Sequence, residues 1–189
     1  CMIETDGQEG ESTAGPTVLA ALANPRTESA LVTVAGALAK QRGGRVLAAH
    51  VVRVPDQTAL SAAAEDDRLR ADSERLLEAA TADSAGMGVA VETRTVFSHR
   101  AIAEVFDLAR RTDADAVVMG YGGARLAGGR AESPLDELAY ALPCDFLVLN
   151  EREVDPSRVL LPTAGGYSSD LSAAVARARR AALVSTVSL

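Results

Sequence analysis

The stretch Ala116-Val-Val-Met-Gly120-Tyr-Gly-Gly-Ala-Arg-Leu-Ala-Gly-Gly129, with Ser133-Pro-Leu-Asp136 just beyond it, decides how this chain is read. A short apolar run without alternation suits a strand covered on both faces, and the glycines after it let the backbone turn where side chains would obstruct it. Ser133, Pro134 and Asp136 then supply a capping hydroxyl, a first-turn proline and an acid at the third helical position, so a helix is expected from Ser133. A strand, a glycine-rich loop and a helix in that order belong to an α/β unit built on a parallel sheet.

Upstream, Thr17-Val-Leu-Ala-Ala-Leu-Ala23 is a second continuous apolar run, ended by Asn24-Pro25. Leu31, Val34, Ala35 and Leu38 then share one helical face, with Thr27 as the expected cap and Gly43-Gly44 as the stop. Residues 45–54 form another apolar run, Pro55-Asp56-Gln57 breaks it, and residues 60–84 read as a single long helix through Leu69, Ser73, Leu76, Leu77 and Ala80. Residues 89–97 alternate, as expected of a half-exposed edge strand, and Ser98 opens a helix whose face is Ile102, Val105, Phe106 and Ala109. Beyond the loop, Leu135, Leu138, Ala139 and Leu142 mark a fourth helix, Pro143 stops it, and residues 145–149 make the fifth strand. Five strands alternating with four helices require an open five-stranded parallel sheet with helices on both faces. Ligands of such sheets bind beyond the carboxyl ends of the strands, where strand order switches, and Asn24 and Gly120 both lie at strand ends.

The 189 residues are 48% hydrophobic and only 3% aromatic, enough for one core made mostly of Ala, Val and Leu. A net charge of −7 opposes binding to nucleic acid or anionic lipid, both of which need a positive field. There is no apolar run near the roughly 20 residues that span a bilayer, and residues 1–16 lack the pattern of a signal peptide, so a cytoplasmic protein without membrane insertion is expected. Residues 1–16, acidic and rich in Gly, Ser and Thr, read as a disordered leader or linker. Cys1 before Met2 reads as the start of a piece of a longer chain. Cys1 and Cys144 have no CxxC spacing, and Cys144 is expected to be an inert, buried thiol. His50 and His99 have no metal-spaced companions, and no nucleophile and base can be paired, so structural histidines, no metal site and no catalysis are expected.

After residues 152–157, read as a linker, the chain repeats its opening. Arg158-Val-Leu-Leu-Pro162 resembles the first strand, and Leu171, Ala174, Val175 and Ala178 resemble the face of the first helix. Residues 158–189 are therefore expected to be the truncated start of a second unit, following a first domain at residues 17–151.

The order of elements and the segment Val117-Val-Met-Gly-Tyr-Gly-Gly through Ser133 to Pro143-Cys-Asp-Phe-Leu-Val-Leu149 resemble the universal stress protein family. The resemblance implies a Rossmann-like fold of the adenine nucleotide alpha hydrolase type with strand order 3-2-1-4-5. It further implies a homodimer formed through the fifth strand and, in one branch, binding of ATP or a related adenine nucleotide. Ala23-Asn24-Pro25, Val54-Pro55-Asp56-Gln57 and Ser98-His99-Arg100 look more like copies attached to, or associated with, membrane amino-acid transporters.

Carried onto this chain, the family's nucleotide site falls on Asn24, Val52, Gly120, Gly122, Gly123, Gly129, Arg130 and Ser133. The family pattern is a Gly, two residues, a Gly, nine residues, then Gly-Ser or Gly-Thr at a helix start. Gly120 and Gly123 match the first spacing, but Glu132 stands where the last Gly belongs, and the register is one residue short unless Gly122 replaces Gly123. Glu132, Asp136 and Glu137 put carboxylates where phosphate needs positive potential, while Arg125, Arg130 and Gly128-Gly129 work in the opposite sense. Asn24 takes the place of the family's base-reading acid and keeps hydrogen bonding without the charge. Three readings follow: a non-enzymatic regulatory module sensing a nucleotide at an altered loop, a structural partner of a transporter that binds no small ligand, or a slow ATPase. Glycines that merely turn the chain, with Ser133 as a plain cap, are the simpler account of the loop.

Overall fold

The computed structural model describes residues 3–6, 15–121, 144–150 and 177. Thr17–Leu22 (β2) is buried at every position, as a strand with helices on both faces must be. It pairs in parallel with Arg45–Arg53 (β3) on one side and with Ala116–Tyr121 (β5) on the other. Ala90–Ser98 (β4) extends the sheet beyond β3, and Asp145–Asn150 (β6) extends it beyond β5. These five strands are all parallel and carry the expected order 3-2-1-4-5.

Pro25–Gln41 (α1) and Asp67–Ser84 (α3) cover one face, where Val18, Ala20, Leu22, Val46, Ala48 and Val118 meet Leu31, Val32, Ala35, Leu76, Leu77 and Ala80. Ala101–Arg111 (α4) covers the other, through Val105, Leu108 and Ala109 against Leu19, Leu47, Ala49 and Val117. The division follows from handedness. The β2-to-β3 and β3-to-β4 crossovers step in one direction and share a face, whereas the β4-to-β5 crossover steps back over the sheet and must use the opposite one. Phe106 of α4 meets Phe146 of β6 edge to face, ring centres 5.4 Å apart.

Four local expectations change. The first helix is capped by Asn24, whose Oδ1 accepts from the Arg26 N–H at 2.9 Å, rather than by Thr27. Pro25 needs no hydrogen bond at the first helical position, so the helix begins three residues earlier. The long helix expected over 60–84 is two helices, Leu60–Glu65 (α2) and α3, because Asp66 turns its carboxylate to the N–H groups of Arg68 and Leu69. Ser98 belongs to β4 rather than to the helix after it, accepting from the Arg100 N–H at 3.1 Å. The leader is not wholly unstructured: Ile3–Asp6 (β1) pairs antiparallel with residues 94–97 of β4, so β4 is flanked on both sides rather than an edge. Backbone pairing needs no apolar side chains, which is why composition did not reveal it. The fourth helix expected from Ser133 and the second unit expected over 158–189 lie outside the described residues, apart from Arg177, which is helical and exposed.

Two titratable groups, one buried and one half-buried, lie on the side of the sheet covered by α1 and α3. Glu28, 5% exposed, has an Oε1 without a hydrogen-bond partner, and burial first, then the nearby Asp83 charge, push its pKa above the ordinary 4.5. A raised carboxyl pKa favours the fold below about pH 4.5, and this advantage is lost as pH rises through the folded value. Glu28→Gln is therefore expected to raise urea-unfolding stability by about 1 kcal/mol at pH 7 to 8, with the gain disappearing towards pH 4.

His50 on β3 lies 3.0 Å from the Ser73 hydroxyl, which itself donates to the Leu69 carbonyl at 2.8 Å. The Ser73 proton is thus committed, and His50 Nδ1 donates to its oxygen. Burial lowers the His50 pKa below 6.5, partly opposed by Asp72. A lowered histidine pKa leaves the fold fully stable above about 6.5 and costs stability as pH falls below that value towards the folded pKa. Urea midpoints measured from pH 7.5 to 5 should fall in the native protein and fall less in His50→Gln.

Candidate functional site

The parallel sheet has its switch in strand order between β2 and β5, since the chain leaves β2 towards β3 but comes to β5 from the far side. β2 ends at Leu22, level with His50 of β3, so β3 and β4 run on past it as a raised rim. Asn24 begins α1 immediately beyond β2, Val52 stands on the rim, and Gly120 lies one step past the Ala21–Met119 pair. All three described members of the expected site therefore lie at the carboxyl ends of the strands. Gly122, Gly123, Gly129, Arg130 and Ser133 fall outside the described residues.

The physical setting of each differs. Asn24 commits its carbonyl oxygen to the helix start, so a base approaching it would meet an amide already held in place by the backbone. The Val52 side chain is 7% exposed and packs with Val54, Leu60, Ala63 and Phe97 under α2, which leaves only its backbone to a ligand. His99, on the same rim, places Nδ1 3.1 Å from the Val54 carbonyl and so ties the end of β4 to the loop after β3.

Gly120 faces the first turns of α1. A Cβ added there would lie 3.5 Å from Thr27 Oγ1 and 3.7 Å from Leu31 Cδ1, both ordinary contacts, and its backbone is not in the left-handed region. Neither packing against α1 nor strain demands a glycine here. The missing side chain places the Gly120 backbone close against the first turns of α1, beside Thr27 and Leu31. Thr27, expected as a cap, contributes to this corner; its sequence signal was hidden because Asn24, three residues earlier, competes for the capping role.

A cavity of about 410 Å³ opens at the opposite, amino end of the sheet, among Arg42, Arg110, Asp113, Asp115, Cys144 and Asp145. Its charges are largely engaged internally: Asp115 accepts from the Thr17 N–H at 2.8 Å, Asp145 lies 3.7 Å from Arg42, and Arg110 binds Asp107 at 3.0 Å. Cys144 is half-buried, and burial with Asp145 and Asp115 raises its pKa, the reverse of what a reactive thiol requires. Among the described residues, His, Cys, Asp and Glu do not gather into a group of three that could hold a metal, and no helix is long and apolar enough to cross a membrane.

An open, five-stranded parallel sheet with helices on both faces defines the class as a doubly wound α/β domain. The universal stress protein family model matches residues 16–150, and the chain belongs to that family. Among solved structures, one from the universal stress protein family of Burkholderia pseudomallei is 26% identical, with a TM-score of 0.52 over 70% of this chain and 94% of that one. A universal stress protein in complex with cAMP is 20% identical, with a TM-score of 0.55 over 72% of this chain and 98% of that one. The universal stress protein of Archaeoglobus fulgidus in complex with dAMP is 19% identical, with a TM-score of 0.51 over 70% and 95% of the two chains. No curated protein sequence matches this chain.

Asn24→Ala should lower stability by about 1 kcal/mol through the lost cap, measured by urea unfolding. Asn24→Asp retains the capping oxygen and adds favourable charge at a helix N-terminus, so its stability should equal or exceed that of the native chain.

Proposed function

We propose that this protein is a non-enzymatic regulatory module that senses an adenine nucleotide at the carboxyl end of its sheet, around Asn24, Val52, Gly120 and the loop from Gly122 to Ser133. The observation that carries this reading is the placement of Gly120: it lies at the switch point, at the carboxyl end of β5 and beside the start of α1, where neither a clash nor strain calls for a glycine. The family relatives described in complex with dAMP and cAMP support an adenine nucleotide as the ligand class.

The loop chemistry favours nucleotides of low phosphate charge. Glu132 stands beside the expected helix start, where a carboxylate repels a triphosphate more strongly than a monophosphate. The non-enzymatic reading is supported by the state of Ser73, which lies 3.0 Å from His50 but is buried and donates its proton to the Leu69 carbonyl, so that pair does not present an activated nucleophile. A homodimer through β6 fits the same reading: the outer side of that strand has no partner among the described residues, and Val148 on it is 45% exposed. Service to a membrane amino-acid transporter is the finer alternative, supported by Ala23-Asn24-Pro25, Val54-Pro55-Asp56-Gln57 and Ser98-His99-Arg100.

Isothermal titration with AMP, ADP and ATP tests the proposal. AMP should bind more tightly than ATP, and Glu132→Gly should strengthen ATP binding by about tenfold while changing AMP much less. Absence of binding by all three at millimolar concentration would remove the nucleotide from the function.

A further inference from the structure

The turn between α3 and β4 meets α1 through a sulfur atom. Ala85–Met87 forms one 3-10 turn, preceded by Ser84, whose hydroxyl donates to the Thr81 carbonyl at 2.8 Å, and followed by Gly88 at φ 67°. Gly86 and Gly88 have open space where a Cβ would stand, so neither position is packed against a neighbour. Met87 between them is half-buried and packs on the core shared by α1, α3 and the sheet. Met119, the other thioether among the described residues, is 8% exposed within β5.

The seat of Met87 is Gly36, buried in the interior of α1, where glycine is less favourable than alanine. A Cβ on Gly36 would lie 2.5 Å from the Met87 Sδ, with Cγ and Cε each at 3.9 Å. The missing Cβ is therefore the space that the sulfur fills. Val32, Ala35 and Ala39 around Gly36 are buried and apolar, and the N–H groups of the helix interior are spent on its own ladder. This seat accepts a thioether and offers no donor to a more polar group.

We propose that Met87 is a site of reversible oxidation, and that its sulfoxide releases the α3–β4 turn from α1. In the reaction a sulfur lone pair attacks one oxygen of hydrogen peroxide, the O–O bond breaks, and a sulfoxide and water are formed. The sulfur loses two electrons and the peroxide gains them. The added oxygen is a strong acceptor on a pyramidal sulfur, and the Gly36 seat has neither the volume nor the donors for it. Docking and oxidation therefore oppose one another: the docked turn shields one side of the sulfur, and the oxidised side chain disfavours docking. Gly86 and Gly88 give the backbone on either side of Met87 the freedom to swing away.

Treating the full chain, with Cys1 and Cys144 replaced by Ser, with millimolar hydrogen peroxide reads the thioethers without the thiols. Peptide mass mapping over time should show Met87 gaining one oxygen before Met119, and the urea midpoint should fall by about 0.5 M. Methionine sulfoxide reductases A and B, added together, should restore the midpoint. In the same background Met87→Leu keeps the packing and should hold its midpoint in peroxide. Gly36→Ala pushes the sulfur from its seat and should raise the rate of Met87 oxidation roughly threefold. Should that variant not fold, Gly36→Ala combined with Met87→Ala, which clears the space, must fold, and its failure would sink the account of the seat. Met87 oxidising no faster than Met119, a midpoint unmoved by its oxidation or not recovered on reduction, an equal loss in Met87→Leu, or an unchanged rate in Gly36→Ala would each overturn the proposal.

Discussion

A strand with no solvent-facing side must be covered twice, and β2 is such a strand. All six of its residues are buried, alternate ones turning to α1 on one face and α4 on the other. Covering both faces demands crossovers in both directions from the centre of the sheet, and right-handedness then permits one assignment of helices to faces. The strand-order switch between β2 and β5 is a by-product of that burial. The site therefore depends on the packing of a strand that carries none of its chemistry.

Most polar groups near the strand ends serve the scaffold. Asn24 starts α1, Asp66 starts α3, Asp115 holds the beginning of β2, and His50 is fixed through Ser73 to the backbone of α3. A side chain already engaged in this way is oriented before any ligand arrives, which reduces the ordering cost of binding. Gly120 works by the opposite means: it offers backbone where other residues would offer bulk.

Sheet edges impose the remaining constraint, because unpaired N–H and C=O groups invite pairing. The two ends of this sheet meet it differently. β6 packs Phe146, Leu147 and Leu149 against the core and exposes Val148, while β4 is covered for part of its length by residues 3–6. One end has no pairing partner among the described residues, and the other is covered over residues 94–97.

The five parallel strands are legible in the sequence because four are continuous apolar runs punctuated by Gly, Pro and Asn, and the run at 89–97 alternates. Strand order followed from resemblance and was then observed. Helix starts were less legible: Asn24, Thr27 and Ser98 all have capping side chains, and only the backbone path decides which oxygen reaches a free N–H. The strand at residues 3–6 was invisible, since its stability lies in a ladder with residues some ninety positions away and not in its own composition. The same limit applies to the site. Sequence alone determined where the loop departs from the family pattern and which residue types stand at each of its positions, because residue type and spacing are local properties. Tertiary structure alone decided that Asn24, Val52 and Gly120 share one end of the sheet and that Thr27 borders Gly120, because adjacency across strands is set by register and by the packing of α1.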